Sequence, residues 1–405
     1  MRKLIALAGL GAALLATPAL GGALSGNCRL GDQPAASLLI PFFEVDLQDP
    51  NGKTTLFSVN NGSSKAALAR VVLWTDWAVP TLAFDLYLTG YDVQTVNVRD
   101  LLRGLVPHTG SGVSPQGALS TPGTGFDGCA GTAAGGAPLS SDDVALLVAA
   151  HTGRPMPKSL PAQCLGSPRA DTRFATGYVT VDAVRRCSPV GVASPRNTPA
   201  DSLYFAAGGT GIATNDNVLW GDYVLVDPAG NSSQGNSAVH LVADADALVA
   251  GSYTFYGRFS SFDGRDARVP LSSLYYSRFV HGGAFDGGTR LIVWRDTRDP
   301  SPRPIACGGA PGWLPLGVHQ LVAFDESENA TEIAGGAALP IAAQAVQVGS
   351  AQLPVDDDYG WLLLDLWHAD ETHAQAWVGP VFTAMGRFSA GYAAIAADDL
   401  CNWGP

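Results

Sequence analysis

Charge is what this chain has least of. Charged side chains make up 15% of its 405 residues, against roughly 25% in an average globular domain. Long surface helices need charged outer faces, so a mainly helical protein is excluded. Lysine and arginine are sparse and do not cluster, and the formal net charge is −12. A phosphate backbone would be repelled, which argues against nucleic acid as a partner. Long apolar runs are missing too. Beyond the N-terminus nothing approaches the roughly 20 residues that a membrane-spanning helix requires.

Catalytic signatures are equally scarce. There is no G-x-S-x-G elbow and no regular strand–helix alternation, which argues against an α/β-hydrolase. No H-E-x-x-H pair and no phosphate-binding P-loop occur. No two cysteines stand in a C-x-x-C pair, which disfavours a zinc ribbon or a thioredoxin-like redox centre.

What is present begins with an export signal. Arg2 and Lys3 precede an apolar run, Leu4 to Ala16, which Thr17 and Pro18 break before small residues follow. That is the layout of a secretory leader, and the run is too short to cross a bilayer. Residues 1–25 are read as a signal peptide, cleaved after Gly21 or Ser25, leaving no transmembrane span. Its loss takes the net charge from −12 to −14, since Arg2 and Lys3 are its only charges. The six cysteines fit an oxidising compartment: Cys28, Cys129, Cys164, Cys187, Cys307 and Cys401 form an even set, read as three disulfides. Chain proximity suggests Cys129 with Cys164, and Cys307 with Cys401. The expected location is the periplasm, the outer cell surface or the medium of a bacterium.

Glycine (48) and proline (27) approach a fifth of the chain, which favours short strands joined by many turns. Alternation of apolar and polar residues supports this. Leu82, Phe84, Leu86 and Leu88 alternate with Thr81, Ala83, Asp85 and Tyr87, and Val93 to Val98 repeats the pattern. Asn60-Asn61-Gly62 is a strong turn signal. Further strands are expected at 37–45, 54–59, 68–74, 178–184, 218–226, 238–242, 252–259, 289–295, 318–324, 360–367 and 376–382. One clear helix interrupts them: Ser140 or Ser141 caps it, Asp142 and Asp143 occupy its first turn, and Gly153 ends it.

The fold class is therefore mostly β, with two antiparallel β-sandwich modules of immunoglobulin-like or jelly-roll-like kind. The expected organisation is a module over 26–107, a Gly/Pro/Ser-rich linker over 108–170 with a helix near 141–152, and a second module over 171–300. Residues 301–405 form a third small module or complete the second. One pattern recurs: Val72-Leu73-Trp74-Thr75-Asp76, Val218-Leu219-Trp220-Gly221-Asp222 and Ile292-Val293-Trp294-Arg295-Asp296. The plainest account is a strand ending on a core-facing tryptophan, with the aspartate turning the chain. A duplicated module and a carbohydrate platform are the sharper accounts.

The most chemically loaded segment is Asp356-Asp357-Asp358, followed by His368, Asp370, Glu371 and His373. Imidazole and carboxylate together ligate transition metals, and three clustered carboxylates suit Ca²⁺, which takes six to eight oxygens. Neither spacing follows a known loop signature, so polar turns are the simpler account. His281 precedes Gly282-Gly283, where a site could form. The leading functional reading is an exported, disulfide-stabilised protein with a non-catalytic binding, adhesive or structural role, its partner a surface polymer or another envelope protein. The alternatives are a secreted polysaccharide hydrolase working through carboxylates or a metal, and a calcium-stabilised surface protein. A hydrolase would draw the 356–373 segment together with Asp76, Asp222 or Asp296.

Overall fold

Strands whose side chains alternate between buried and exposed need one covered face, and strands buried throughout need two. Both kinds occur here. The computed structural model describes residues 33–107, 109, 117–121, 126, 129, 138–169, 171–297, 299, 303–309, 316–317, 319–334, 339–367, 374–384 and 388–397. Its first half contains β1 (Ser37–Asp46), β2 (Thr54–Asn61), β3 (Ala67–Trp74), β4 (Pro80–Leu88) and β5 (Val93–Asn97), then helices α1 (Val98–Leu102) and α2 (Ser141–Thr152). There follow β6 (Gln163–Cys164), β7 (Phe174–Val184), β8 (Gly191–Val192), β9 (Leu219–Trp220), β10 (Asp222–Asp227), β11 (Ser232–Ser237) and β12 (Val239–Leu241). The remainder holds β13 (Leu274–Val280), β14 (Gly288–Arg295), β15 (Ile305–Ala306), β16 (Leu321–Phe324) and β17 (Ala330–Glu332). It closes with β18 (Ala343–Gln347), β19 (Tyr359–Asp365), β20 (Ala376–Ala384), β21 (Phe388–Gly391) and β22 (Ile395–Ala396).

These strands form four main antiparallel sheets. The first runs β12-β1-β7-β3-β4-β8 and the second β11-β10-β2-β5, with β9 also on β2. The third runs β17-β16-β19-β13-β22 and the fourth β18-β14-β20-β21. In the first sheet β3 and β4 are buried at every position, and β1 and β7 at all but one. Both of its faces are covered: β1 packs on β2 and β10 of the second sheet and on β14 and β18 of the fourth. The fourth sheet is covered on both sides as well. On β14, Ile292 and Trp294 enter the core of the first sheet, whereas Leu291 and Val293 enter a separate core shared with the third sheet. The second and third sheets lie outside, and β10, β13 and β19 show the expected alternation. A strand with no solvent face reads as a near-continuous apolar run, which is the character of Leu291–Trp294 and, apart from the ion-paired Arg70, of Ala67–Trp74.

The recurring tryptophans join the layers. Trp74 ends β3 and stacks on Tyr178 of β7 at 5.8 Å between ring centroids, and Trp294 meets the same Tyr178 edge-on at 5.9 Å. The third copy of the pattern departs from this: Trp220 is 42% exposed. Its strand is split at Gly221, where a Cβ would lie 2.3 Å from the Ser58 carbonyl. The two pieces keep one register, with Asn60 opposite Trp220 and Phe57 opposite Tyr223. In β1 the register slips between Ile40 and Phe43, at Pro41, which has no N–H to give to the ladder.

Two expectations are corrected. Residues 252–259 are turns rather than a strand, because the Gly257 N–H donates to Thr254 O and the Phe259 and Ser260 N–H groups donate to Tyr256 O. Phe255 and Tyr256 are buried, so their apolarity serves the core rather than a ladder. The disulfide pairing also differs. Cys129 bonds Cys187, and Cys164 bonds Cys307. Strand adjacency decides the second: β6 pairs with β15, placing Cys164 opposite Ile305 and beside Cys307. Cys28 and Cys401 lie outside the described residues.

Buried polar groups pin the loops to the first sheet. Asp182 of β7 accepts from the Tyr204 and Tyr256 hydroxyls, each at 2.8 Å, and from the Ser37 hydroxyl. Arg268, fully buried, donates to Ser37 and to Thr214 O and pairs with Asp266 at 3.4 Å. On the other side of the sheet's strand order, Arg70 of β3 pairs with Asp85 of β4 at 3.1 Å and donates to Asn197 O and Arg196 O, while Ser188 N–H donates to Asp85. Burial raises the carboxyl pKa of Asp85 and of Asp266, against the pull of Arg70 and Arg268. Leaving one of these charges unpaired in the core would cost about 3–5 kcal/mol.

Helix α2 forms as its sequence requires. The Ser140 hydroxyl accepts from Asp143 N–H, and Gly153 closes the helix in the left-handed conformation at φ 67°. It carries His151 into the core, with Nε2 2.8 Å from the Thr81 hydroxyl and Nδ1 3.0 Å from Thr176 O. Burial lowers the imidazole pKa from 6.5 to about 4, and Arg169 adds to this while the bond to Thr176 opposes it. The folded state therefore prefers neutral imidazole. Between those two pH values the unfolded chain binds a proton that the folded chain does not, so this contribution is whole above the upper value and is lost as pH falls. At about 1.4 kcal/mol per pKa unit the loss amounts to roughly 3 kcal/mol by about pH 4. Urea unfolding of the wild type and His151→Gln from about pH 7 to about pH 4.5 checks this: the stability advantage of the wild type should shrink steadily as pH falls, and an advantage that stays constant contradicts it.

Candidate functional site

A hydrolytic centre of the expected kind would draw Asp76, Asp222 or Asp296 to the 356–373 segment, and among the described residues each of the three has separate surroundings. Asp76 is buried, pairs with Arg169 at 2.8 Å and accepts from Ser167 N–H at 2.9 Å. It tethers the segment that follows α2. Asp296 is buried, pairs with Arg258 at 3.4 Å and accepts from the Tyr253 hydroxyl at 2.9 Å and the Gln375 amide at 3.2 Å. Burial raises its pKa against the pull of Arg258. The same Arg258 guanidinium lies 5.3 Å from the Trp74 ring centroid and 4.3 Å from that of Phe259, so Asp296 locks the tryptophan junction. Asp222 is exposed on β10. A raised carboxyl pKa marks a functional site when the group opens onto a cleft. Asp85, Asp266 and Asp296 are sealed in the core and serve it.

Of the acidic triple, Asp356 and Asp358 are exposed and Asp357 is half-buried. Asp358 anchors β13 through its backbone carbonyl, which accepts from His281 N–H at 2.7 Å. Asp356 lines an open hollow of about 390 Å³ together with His281, Asp286, Gln347 and a glycine-rich rim. His281 is thus brought next to part of the predicted acidic segment. His368, Asp370, Glu371 and His373 lie outside the described residues. Among the described residues, no three His, Cys, Asp or Glu side chains stand together as a metal would need.

A second hollow, about 240 Å³, opens where the second and fourth sheets come side by side at the end of β1. Its floor is aliphatic, from Leu225, Val226 and Val381, and its walls are polar. Glu44 of β1 lies between two cations, 3.4 Å from Lys53 and 3.6 Å from Arg290. Lys53 also reaches Asp227 at 3.7 Å. Thr54, Gln234, Gln347, Thr383 and Ser389 complete the lining. Gln347 borders both hollows and donates to Gly287 O at 3.2 Å between them. The two adjoin at Gln347 and are together called the trough, with the Lys53–Glu44–Arg290 cluster at one end and His281, Asp286 and Asp356 at the other.

Each wall has a reason in the sequence. The Asp227-Pro228-Ala229-Gly230-Asn231 turn joins β10 to β11, and Asp227 accepts from Gly230 N–H at 3.0 Å, as an Asx turn does. Arg290 shares the face of β14 with Ile292 and Trp294, and it is the position where that face leaves the core and meets water. Sequence reasoning singled out none of Glu44, Lys53, Arg290 or Gln347. The available signal was a lone cation at the start of an otherwise apolar strand, which becomes meaningful only once that strand is known to be covered on both sides. Chemically, the trough offers paired charges of both signs, planar amides and hydroxyls, all able to donate or accept hydrogen bonds to a polar ligand.

No protein-family model matches the chain, and no curated protein or solved structure is detectably similar to it.

The trough charges keep 20–32% of their side-chain surface in water, so their pairs contribute little to folding. Glu44→Gln should shift stability by less than about 1 kcal/mol in urea unfolding with an unchanged slope. A loss above about 2 kcal/mol would make the cluster a structural lock rather than a site.

Proposed function

We propose that this chain is an exported, non-catalytic binding protein of the cell envelope or extracellular space, with a polysaccharide-class polymer as its ligand in the trough. The observation that carries this reading is the composition of the walls. Around Glu44 two carboxylates and two cations compensate one another, with amides, hydroxyls and the aliphatic Leu225, Val226 and Val381 beside them, and Asp286 and Asp356 add acidic acceptors at the far end. Sugar hydroxyls donate and accept at once, so they are served by adjacent donors and acceptors. The trough is open and runs on past Gln347, which suits an extended chain better than a small molecule. The N-terminal leader supports export, and so does the pair of disulfides.

The alternative of a polysaccharide hydrolase calls for an acid and a base flanking a bond in the same trough. Glu44 and Asp227 are both engaged with Lys53, which favours holding a ligand over transferring a proton to it. Titration calorimetry against a panel of soluble neutral and acidic polysaccharides tests the proposal, with reducing ends assayed in parallel. Binding without release of reducing ends is expected. Arg290→Ala and Gln347→Ala should each weaken it about tenfold, the equivalent of about 1.4 kcal/mol. Steady release of reducing ends, or binding insensitive to both variants, overturns the reading.

A further inference from the structure

The outer faces of the two outer sheets differ in kind. On the second sheet the outward positions mix Ser233, Ser237, Thr95 and Asp222 with short aliphatics. On the third they are mostly apolar at the centre, with Glu332 of β17 and Asp365 at the end of β19 at the margins. Its β16, β19, β13 and β22 place Val322, Leu363, Tyr276 and Ile395 in one row across the strands, because Leu363 pairs with Val322 and Tyr276, and Tyr276 with Ile395. The next row holds Phe324, Trp361 and Arg278. Ile395 is 68% exposed, Tyr276 41% and Trp361 38%. A contiguous apolar patch of this kind marks an interaction surface.

Ring geometry restricts what the patch can receive. Phe324 and Trp361 lie face to face, 4.0 Å between centroids and 5° from parallel, and Tyr276 meets Trp361 edge-on at 5.6 Å. One flat face of each ring of the Phe324–Trp361 pair is thereby covered by the other. Arg278 and an acidic hairpin supply one opposite-charge pair for self-recognition. Arg278 stands on β13, to one side of Trp361. The hairpin joining β16 to β17, with Glu326 and Glu328 exposed, stands on the other side. A two-fold axis along β19 lays β13 of each copy over β16 of the other, so Arg278 of each reaches the acidic hairpin of its mate. In an isologous contact that pairing occurs twice.

We propose that the outer face of the third sheet is a dimerisation surface for a second copy of this chain, with Trp361 and Tyr276 at its centre and Arg278 against Glu326 and Glu328 at its rim. The five strands hold three, four, seven, seven and two residues, which at about 3.3 by 4.8 Å per residue cover about 360 Å². That gives about 700 Å² in total, below the usual size of stable specific interfaces, so the dimer is weak and concentration-dependent. Sedimentation velocity on the full exported chain over a wide concentration range tests this. The mass should rise from monomer toward twice the monomer at tens of micromolar. Ile395→Glu and Arg278→Glu, both at exposed positions, should hold the chain monomeric with unchanged circular dichroism. Adding Glu326→Lys and Glu328→Lys to Arg278→Glu should restore the dimer. A wild type that stays monomeric throughout, a dimer indifferent to both single variants, or a failure of the reversed charges to rescue overturns the proposal. So does a monomer retarded by polysaccharide in affinity gels in a manner that Trp361→Ala abolishes.

Discussion

Two sheets without a free face govern this structure. The first and fourth are apolar on both sides, so neither can be exposed, and each must be covered twice. Stacking them together covers one face of each, and the second and third sheets cover the others. Every strand of an outer sheet is then left with one wet side, and its sequence alternates accordingly. The contact between the two central sheets is the ring stack of Trp74, Tyr178 and Trp294. Arg258 and Asp296 fasten it, sealed from water along with the rings they touch.

The same constraint explains where the polar chemistry lies. Sheets covered on both sides leave no room for an unpaired charge, so Asp182, Asp266 and Arg268 form one closed set, and Arg70 and Asp85 another. Burial raises the carboxyl pKa of Asp85 and of Asp266, and each set holds a loop that would otherwise have no anchor on the sheet. Polar side chains that face water gather where the second and fourth sheets end side by side. That is why the trough lies at this junction and why its walls come from residues as distant as Glu44, Asp227, Arg290 and Gln347.

Much of the fold was legible in the sequence. The β character, the capped helix over Ser141–Thr152 and most strands follow from period-2 alternation and from turn and cap residues. The alternation also held the distinction between outer and central sheets, since Ala67–Trp74 is apolar on both faces but for Arg70, whereas Leu274–Val280 alternates. The turns at 252–259 were misread because Phe255 and Tyr256 have strand-like composition but bury their rings from a looped backbone. Disulfide partners were illegible because Cys164 finds Cys307 through a strand pairing 143 residues distant in sequence. The trough was illegible for the same reason: its residues are ordinary strand and turn positions, and only sheet adjacency brings them to one wall. The Trp-x-Asp pattern was legible as a motif, and two of its three copies proved to be the structural junction rather than a surface platform.

Native-state hydrogen exchange tests most directly whether the two central sheets stand or fall together. Amides of β1, β3 and β7 should open with the same free energy as those of β14 and β20, and all should respond alike to rising denaturant. If β14 and β20 open at markedly lower free energy while β1, β3 and β7 stay protected, the shared core does not join the layers, and the trough has no fixed walls.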